Sequence, residues 1–297
     1  MPKVSVCIPA YNQIKYLKRT IDSVLSQNYS DYEIVITDDS SSDIVRDFVN
    51  SYNMPVKIRY FKNAVPLGSP ENWNEAIRKA NGEYIKIIHH DDWLTESDSL
   101  NKYVNLLDDN PDVNFAFSGS HVVFEDGSKW IHSISEDGVN ELKNNPNLLL
   151  IKNLIGAPSA VIFKKDSNLI FDRNLRWLVD VEYYTRILHV QKFAYTIDPL
   201  IVTFGALGRV TDECENNKVV EVFEYFYCMG KMQKSSQIKV FVLHAFNICD
   251  QYRILKRRDI VDCGYNGTIH PYVLIFLQLK KIYRPLSGAF KKLINRS

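Results

Sequence analysis

Residues 4–43, VSVCIPAYNQIKYLKRTIDSVLSQNYSDYEIVITDDSSSD, decide the fold. Val4-Ser5-Val6-Cys7-Ile8 is a short apolar run that stops at Pro9, and Glu33-Ile34-Val35-Ile36-Thr37 is a second that stops at Asp38-Asp39. Runs this short, without regular polar alternation, read as parallel strands buried on both faces. Between them Tyr16, Leu17, Ile21, Val24 and Leu25 recur at helical spacing. Together they make a βαβ unit of ordinary size.

Working outward, strands and helices keep alternating. Ser41 or Ser42 can cap a helix with the apolar face Ile44, Val45, Phe48, Val49 and Tyr52, followed by a strand over 56–61. Residues 72–80 read as a helix ended by Asn81-Gly82, and 84–88 as a strand that runs into His89-His90-Asp91-Asp92. A helix over 100–107 stops before Asn110-Pro111; 115–117 and 121–124 then read as two strands around Ser118-Gly119, where antiparallel pairing enters. Further on, 140–154 reads as mostly helical, 160–163 as a strand, 178–188 as a helix and 195–204 as extended. From Val219 the pattern changes to helices alone, at roughly 218–233, 237–257 and 271–295. The expected fold class is α/β, a mixed, mostly parallel sheet flanked by helices over 1–212, with a helical C-terminal extension over 213–297.

Composition narrows the function classes. The 297 residues are 45% apolar and 24% charged with a formal charge of +1, so no global field favours nucleic acid. Cys7, Cys214, Cys228, Cys249 and Cys263 are widely spaced with no CxxC pair, and are expected to be reduced, buried thiols. Met1-Pro2-Lys3 leads straight into a strand pattern and no run of 18 apolar residues occurs. The expected location is therefore cytoplasmic, and the sequons at Asn28 and Asn266 are read as chance matches.

In an open α/β sheet, ligands bind beyond the carboxyl ends of the parallel strands. Three polar clusters lie there: Pro9-Ala10-Tyr11-Asn12, Asp38-Asp39-Ser40-Ser41 and His89-His90-Asp91-Asp92. Asp-Asp-Ser before a helix is also an ordinary capping turn. Asp91-Asp92, however, follows an apolar strand and precedes Trp93-Leu94, and carboxylates at so buried an edge need a counter-ion. Mg²⁺ or Mn²⁺ completed by diphosphate oxygens would supply one. Zinc at His89 and His90 lacks a third ligand at a recognised spacing. No GxGxxG or GxxxxGK[ST] follows the first strand, which removes dinucleotide and P-loop readings and leaves phosphate to be held through a metal.

In order and spacing, residues 4–43 resemble the opening of family 2 glycosyltransferases of the GT-A fold, where one strand ends in PxYN and the next in DDxS. The resemblance continues through GEYIKIIHHDD (82–92), GAPS (156–159) and WLVDVEYYTRI (177–187), and covers roughly 1–210. It implies that Pro9, Ala10 and Tyr11 frame the nucleobase and that Asp39 bonds the base or ribose. Asn74, in NWNEAI, matches the family's Asn on the helix before the DxD strand. His90 and Asp91 lie in the donor site, and Asp91 with Asp92 binds Mn²⁺ or Mg²⁺. Asp180 matches the general base of the inverting members. The implied donor is a nucleotide sugar, by resemblance a UDP-sugar carrying a hexose or N-acetylhexosamine. The implied acceptor is a saccharide or lipid-linked saccharide of bacterial surface polysaccharide.

Three positions depart from the family pattern. The first DxD acid is His89, the acid that precedes the base is Val179, and Trp73 stands where many relatives have arginine. Glu182 could serve as base, but two positions along a helix it points elsewhere. The rival classes are a nucleotidyltransferase, a glycoside hydrolase and a degenerate nucleotide-sugar binder without turnover. The first lacks a glycine-rich phosphate loop, and the second has no use for a diphosphate-binding edge. Residues 268–297 are apolar, aromatic and basic without an acid, which suits either a helix on an anionic membrane surface or a core helix with a solvated basic face. The aromatic helices over 218–257 suit core or contact between subunits of a homo-oligomer, and 204–211, with Gly205 and Gly208, suits a mobile acceptor loop.

Overall fold

Every residue of β1 (Val4–Ala10) and β2 (Tyr32–Asp38) is buried, as expected of strands covered on both faces. α1 (Ile14–Leu25) joins them and buries Leu17, Thr20, Ile21 and Val24. The computed structural model describes residues 1–52, 57–166, 169–205, 210–232 and 238–282. α2 (Ile44–Asn50), β3 (Ile58–Lys62), α3 (Glu71–Lys79) and β4 (Tyr84–Ile87) extend the parallel sheet in the order β3-β2-β1-β4. Asp43, without a side-chain capping bond, stands at the start of α2 in place of Ser41 or Ser42, and Ile44 is left exposed.

Beyond β4 the sheet turns mixed. β5 (Trp93–Leu94), α4 (Ser99–Asp108), β6 (Phe115–Phe124), β7 (Lys129–His132), α5 (Glu136–Asn144), β8 (Val161–Lys164), α6 (Val179–Leu188) and β9 (Phe193–Gly205) follow along the chain. The described residues form one nine-stranded sheet, continuing from β4 through β8, β6, β9 and β5, with β7 on the other edge of β6. β8 runs antiparallel to both β4 and β6.

The two strands expected around Ser118-Gly119 are the single strand β6. The irregularity falls on its parallel partner β9, where the register shifts twice between Tyr195 and Ile201. Gly119 permits the bulge, because a Cβ there would sit 2.5 Å from the Ile197 carbonyl. The helix expected over 140–154 is also corrected. α5 starts earlier, capped by the Ser135 hydroxyl, and ends at Asn145, which precedes Pro146 and is extended at φ −149; a 3₁₀ turn, Pro146–Leu150, follows. The short strands β5 and β7 were not expected.

The C-terminal helices are α7 (Val210–Cys214), α8 (Lys218–Lys231), α9 (Ile238–Gln251), α10 (Arg257–Val261) and α11 (Pro271–Ile282). A boundary near 212 separates element types, but the apolar core crosses it. Val222, Phe226, Phe246 and Phe276 belong to the same buried cluster as Phe115, Val179 and Tyr184. Val273, Phe276 and Leu277 of α11 are buried, Phe276 stacks on Phe246 at 4.1 Å, and Lys280 pairs with Asp250. The described part of the tail thus turns its apolar face to the core. Its remainder, 283–297, lies outside the described residues, as do 206–209 of the expected acceptor loop and Val56 of the third strand. All five cysteines are free and buried. No described helix is long and apolar enough to cross a membrane.

Glu224 of α8 fixes how this extension meets the sheet. Its buried carboxylate accepts the backbone N–H groups of Arg176, Trp177 and Leu178 at 2.7, 3.1 and 2.7 Å, where α6 begins. A negative group at a helix N-terminus satisfies orphan donors and complements the helix dipole. Glu224→Ala should cost about 2–3 kcal/mol and lower Tm by about 3–5 °C in thermal denaturation. Loss of three charge-assisted bonds with no change in Tm would contradict this role.

Candidate active site

The turn after β4 is held from several sides. His89 N–H donates to Ser159 Oγ at 2.9 Å, and Asp92 N–H closes the turn on the His89 carbonyl at 3.0 Å. From α1, the Thr20 hydroxyl lies 2.9 and 2.7 Å from the carbonyls of His90 and Asp92. Asp92 is buried, and its Oδ1 accepts the Phe204 N–H of β9 at 2.8 Å. Burial raises its pKa, with nearby Asp91 adding to the rise and bonds to Ser159 and Phe204 opposing it. Asp91 stays partly exposed.

His89, Asp91 and Asp92 bring one ligand atom each to within 4.8 Å of one another. The His89 ring packs on Trp73 with centroids 4.7 Å apart, and its Nε2 is buried without a partner. Burial lowers its pKa to about 4, so the ring is neutral and can ligate a metal. Spacing from sequence left the histidines without a third ligand. The turn brings Asp91 and Asp92 to His89, and His90 is not part of that cluster. Behind the turn lies Lys86, fully buried, bonded to the Ser159 carbonyl and 4.2 Å from the Tyr103 ring centroid. Burial lowers its pKa to about 7, against the pull of Asp92.

The β1 and β2 ends form the neighbouring wall. Asp39 N–H donates to the Ala10 carbonyl at 3.0 Å and Asn12 N–H to Ser40 Oγ at 2.8 Å, while Tyr11 projects 55% exposed. Pro9 and Ala10, at the end of β1, are buried. Asp38 is internal and accepts from Ser40 N–H, Tyr60 and Lys62. Asp39 binds the 63–68 loop, taking the Asn63 amide at 2.7 Å and the N–H groups of Leu67 and Gly68 at 3.0 and 2.7 Å. About one of a carboxylate's four acceptor positions then remains. Asn74 does something different. It is fully buried and clamps Phe171, donating to its carbonyl at 2.9 Å and accepting its N–H at 2.8 Å. Both ends of the amide are thus engaged within the fold.

Asp180 opens α6. Its carboxylate takes the Asn153 amide at 3.2 Å and the Val181 N–H at 2.9 Å, and burial, with a smaller push from Glu224, raises its pKa to about 6. Asn153 also accepts the N–H groups of Ile155 and Gly156 at 3.1 and 2.8 Å. Gly156, at φ 101, lets this loop turn toward Ser159. The 153–159 loop therefore links the two candidate centres, with Asn153 on Asp180 at one end and Ser159 on His89 at the other. Asn153 donates to the Asp180 carboxylate, and nothing in its sequence context marks it. Glu182 is fully buried and engaged by Arg186 at 3.1 Å and by Lys231.

Comparison with known proteins bears on the family and the fold. An uncharacterised protein of Mycobacterium tuberculosis is 30% identical over 203 residues, 63% of this chain and 62% of that protein. An uncharacterised glycosyltransferase of Rickettsia bellii is 30% identical over 206 residues, 68% of this chain but 29% of its own length. The Bacillus subtilis protein TuaG, named for teichuronic acid biosynthesis, is 28% identical over 70% of this chain and 81% of its own. Among solved structures, S. aureus TarS in complex with UDP-GlcNAc superposes with a TM-score of 0.60 at 17% identity, over 84% of this chain and 71% of that one. A Pyrobaculum calidifontis mannosyltransferase in complex with GDP-Man and Mn²⁺ gives 0.57 at 15% identity, over 99% and 84%. Both have the GT-A fold seen here. The family described as Glycosyl transferase family 2 matches residues 5–169, more than half of the chain, and the protein belongs to that family.

Proposed function

We propose that the chain transfers a hexose or N-acetylhexosamine from a nucleoside diphosphate sugar, in the first place a UDP-sugar, to a saccharide or lipid-linked saccharide of a bacterial surface polymer, with inversion. The observation that carries this reading is the Asn153–Ser159 loop, which ties a carboxylate with a raised pKa to the His89-Asp91-Asp92 turn. TarS, crystallised with UDP-GlcNAc, and TuaG, named for teichuronic acid biosynthesis, support the donor class and the kind of product.

In this reading Pro9, Ala10, Tyr11 and the remaining acceptor position of Asp39 meet the nucleoside, and His90 borders the diphosphate. Asp91, Asp92 and His89 would hold Mn²⁺ or Mg²⁺, which supplies charge neutralisation to the departing diphosphate. The unpartnered Nε2 of His89 and the partly exposed Asp91 fit such an ion, and an imidazole donor favours Mn²⁺ over Mg²⁺. Asp180 takes the proton from the acceptor hydroxyl as that oxygen attacks the anomeric carbon. Asn153 fixes the carboxylate's orientation, and burial places its pKa near working pH, which suits a general base.

Incubation with UDP-glucose, UDP-galactose and UDP-N-acetylglucosamine, with Mn²⁺ and a cell-surface saccharide extract, should release UDP. Asp180→Asn should cut turnover by about 10²–10⁴-fold with UDP affinity kept; near-normal turnover would remove Asp180 from the mechanism. Because the base must be ionised, kcat should fall as pH drops through about 6, and a profile flat down to pH 4 would contradict the assignment. Electron paramagnetic titration with UDP present should show Mn²⁺ affinity reduced by about tenfold or more in Asp91→Asn and in His89→Ala. Equal affinity in both would exclude this ion site.

A further inference from the structure

Lys86 occupies a place in the sheet where packing alone calls for an apolar residue. Its register neighbours are Val6 of β1 and Ile162 of β8, both fully buried. Its Nζ lies 4.2 Å from the ring centroid of Tyr103, which shares one apolar cluster with Val6 and Ile162. Burying an amine in such surroundings is costly unless its donors are met. No carboxylate among the described residues pairs with it, and Asp92 acts on it only through space. The bonds that meet its donors run to main-chain carbonyls instead, to Ser159 and, at 3.3 Å, to Ile87.

Ser159 is fully buried in a 3₁₀ turn of three residues, Pro158–Ala160. The turn is closed by Ala160 N–H on the Ala157 carbonyl and by Val161 N–H on the Pro158 carbonyl. Neither closure uses the Ser159 carbonyl, and a buried carbonyl requires a donor, which Lys86 supplies. A turn this short carries few bonds of its own, so its side chains are aimed by whatever anchors its backbone.

The side chain so aimed belongs to the candidate active site. Ser159 Oγ accepts the His89 N–H at 2.9 Å, and Ser159 also bonds the buried Asp92 carboxylate. One residue therefore carries Lys86 on its carbonyl and two members of the His89-Asp91-Asp92 cluster on its side chain. Thr20, the anchor on the other side of this turn, sits on the regular helix α1 and grips only carbonyls. It leaves the His89 N–H and the Asp92 carboxylate to Ser159 and Phe204.

We infer that Lys86 is a positioning residue for the ion: by fixing the Ser159 carbonyl it aims the Ser159 hydroxyl, which sets His89 and Asp92 at the spacing that Mn²⁺ requires. An amine and an ammonium both donate to a carbonyl, so the anchoring does not depend on the charge of Lys86. The inference rests on the ion site proposed above and adds the residue that shapes it from inside the sheet. Groups that orient metal ligands in this way change metal affinity by about 10–100-fold.

Electron paramagnetic titration of Mn²⁺ into the full chain with UDP present, run as a double-mutant cycle, tests this. Lys86→Met, close in length but without a donor, should raise the Mn²⁺ Kd by about tenfold or more, and so should Ser159→Ala. In the Ser159→Ala background Lys86→Met should change that Kd by less than about twofold, because the hydroxyl it aims is gone. A lysine that merely fills the core would behave otherwise. Its loss would lower Tm equally in both backgrounds and leave Mn²⁺ affinity as it was. Unchanged or tighter Mn²⁺ binding in Lys86→Met overturns the inference, and so does a loss of similar size in both backgrounds. Should Lys86→Met not fold by circular dichroism, Lys86→Gln, whose donor is one bond shorter, takes its place. It should raise the Kd in the wild-type background alone, and a rise in both backgrounds or in neither overturns the inference. If wild type binds no Mn²⁺, or His89→Ala and Asp91→Asn bind it as wild type does, the ion site fails first; if those variants weaken it and Lys86→Met does not, only the role of Lys86 fails.

Discussion

The buried carboxylate of Asp92 is the constraint on which the rest of the site depends. An ionised group taken from water at this depth is costly unless it is bonded on several sides. Phe204 N–H and Ser159 answer that need, and they come from β9 and from the turn that enters β8. Satisfying one side chain therefore draws together the end of β4, the GAPS segment and β9. Lys86 behind it, fully buried and bonded to the Ser159 carbonyl, places a cation-forming group in the same interior. Asp91 beside it stays partly exposed.

The same division recurs at each cluster. Asp38 is internal and engaged by Ser40, Tyr60 and Lys62, whereas Asp39 faces the 63–68 loop and keeps about one acceptor position. On α6, Glu182 is engaged by Arg186 and Lys231, whereas Asp180 is held by a single amide and one N–H. In each pair one acid is a fixture and the other retains capacity for a ligand. The C-terminal helices serve the same end, since Glu224 seats the first turn of α6 and so sets where Asp180 sits.

Much of this was legible in the sequence. The parallel strands were, because burial on both faces leaves unbroken apolar runs such as Val4–Ile8 and Glu33–Thr37. The acids at their carboxyl ends were legible for the same reason, as polar residues where an apolar run stops. What stayed hidden depends on contacts between distant segments. Asn153 looks like any loop asparagine until the fold brings it to Asp180, 27 residues on. Asn74 matches a family position, yet only the structure reveals that Phe171 uses both ends of its amide. β5 and β7 are too short to carry a period, and the β9 bulge is marked in sequence only by Pro199 and by Gly119 on its partner.

The departure at His89 follows from its surroundings. The ring lies between Trp73 and the buried turn, with Lys86 close enough to lower its pKa further. A carboxylate in that place would add a third negative charge beside Asp91 and the buried Asp92, whose proton affinity is already raised by its neighbour. A neutral imidazole offers a ligand atom without that charge, and it packs on the Trp73 face as a carboxylate cannot. Trp73 and His89 thus form one aromatic contact, with ring centroids 4.7 Å apart, beside the two acids.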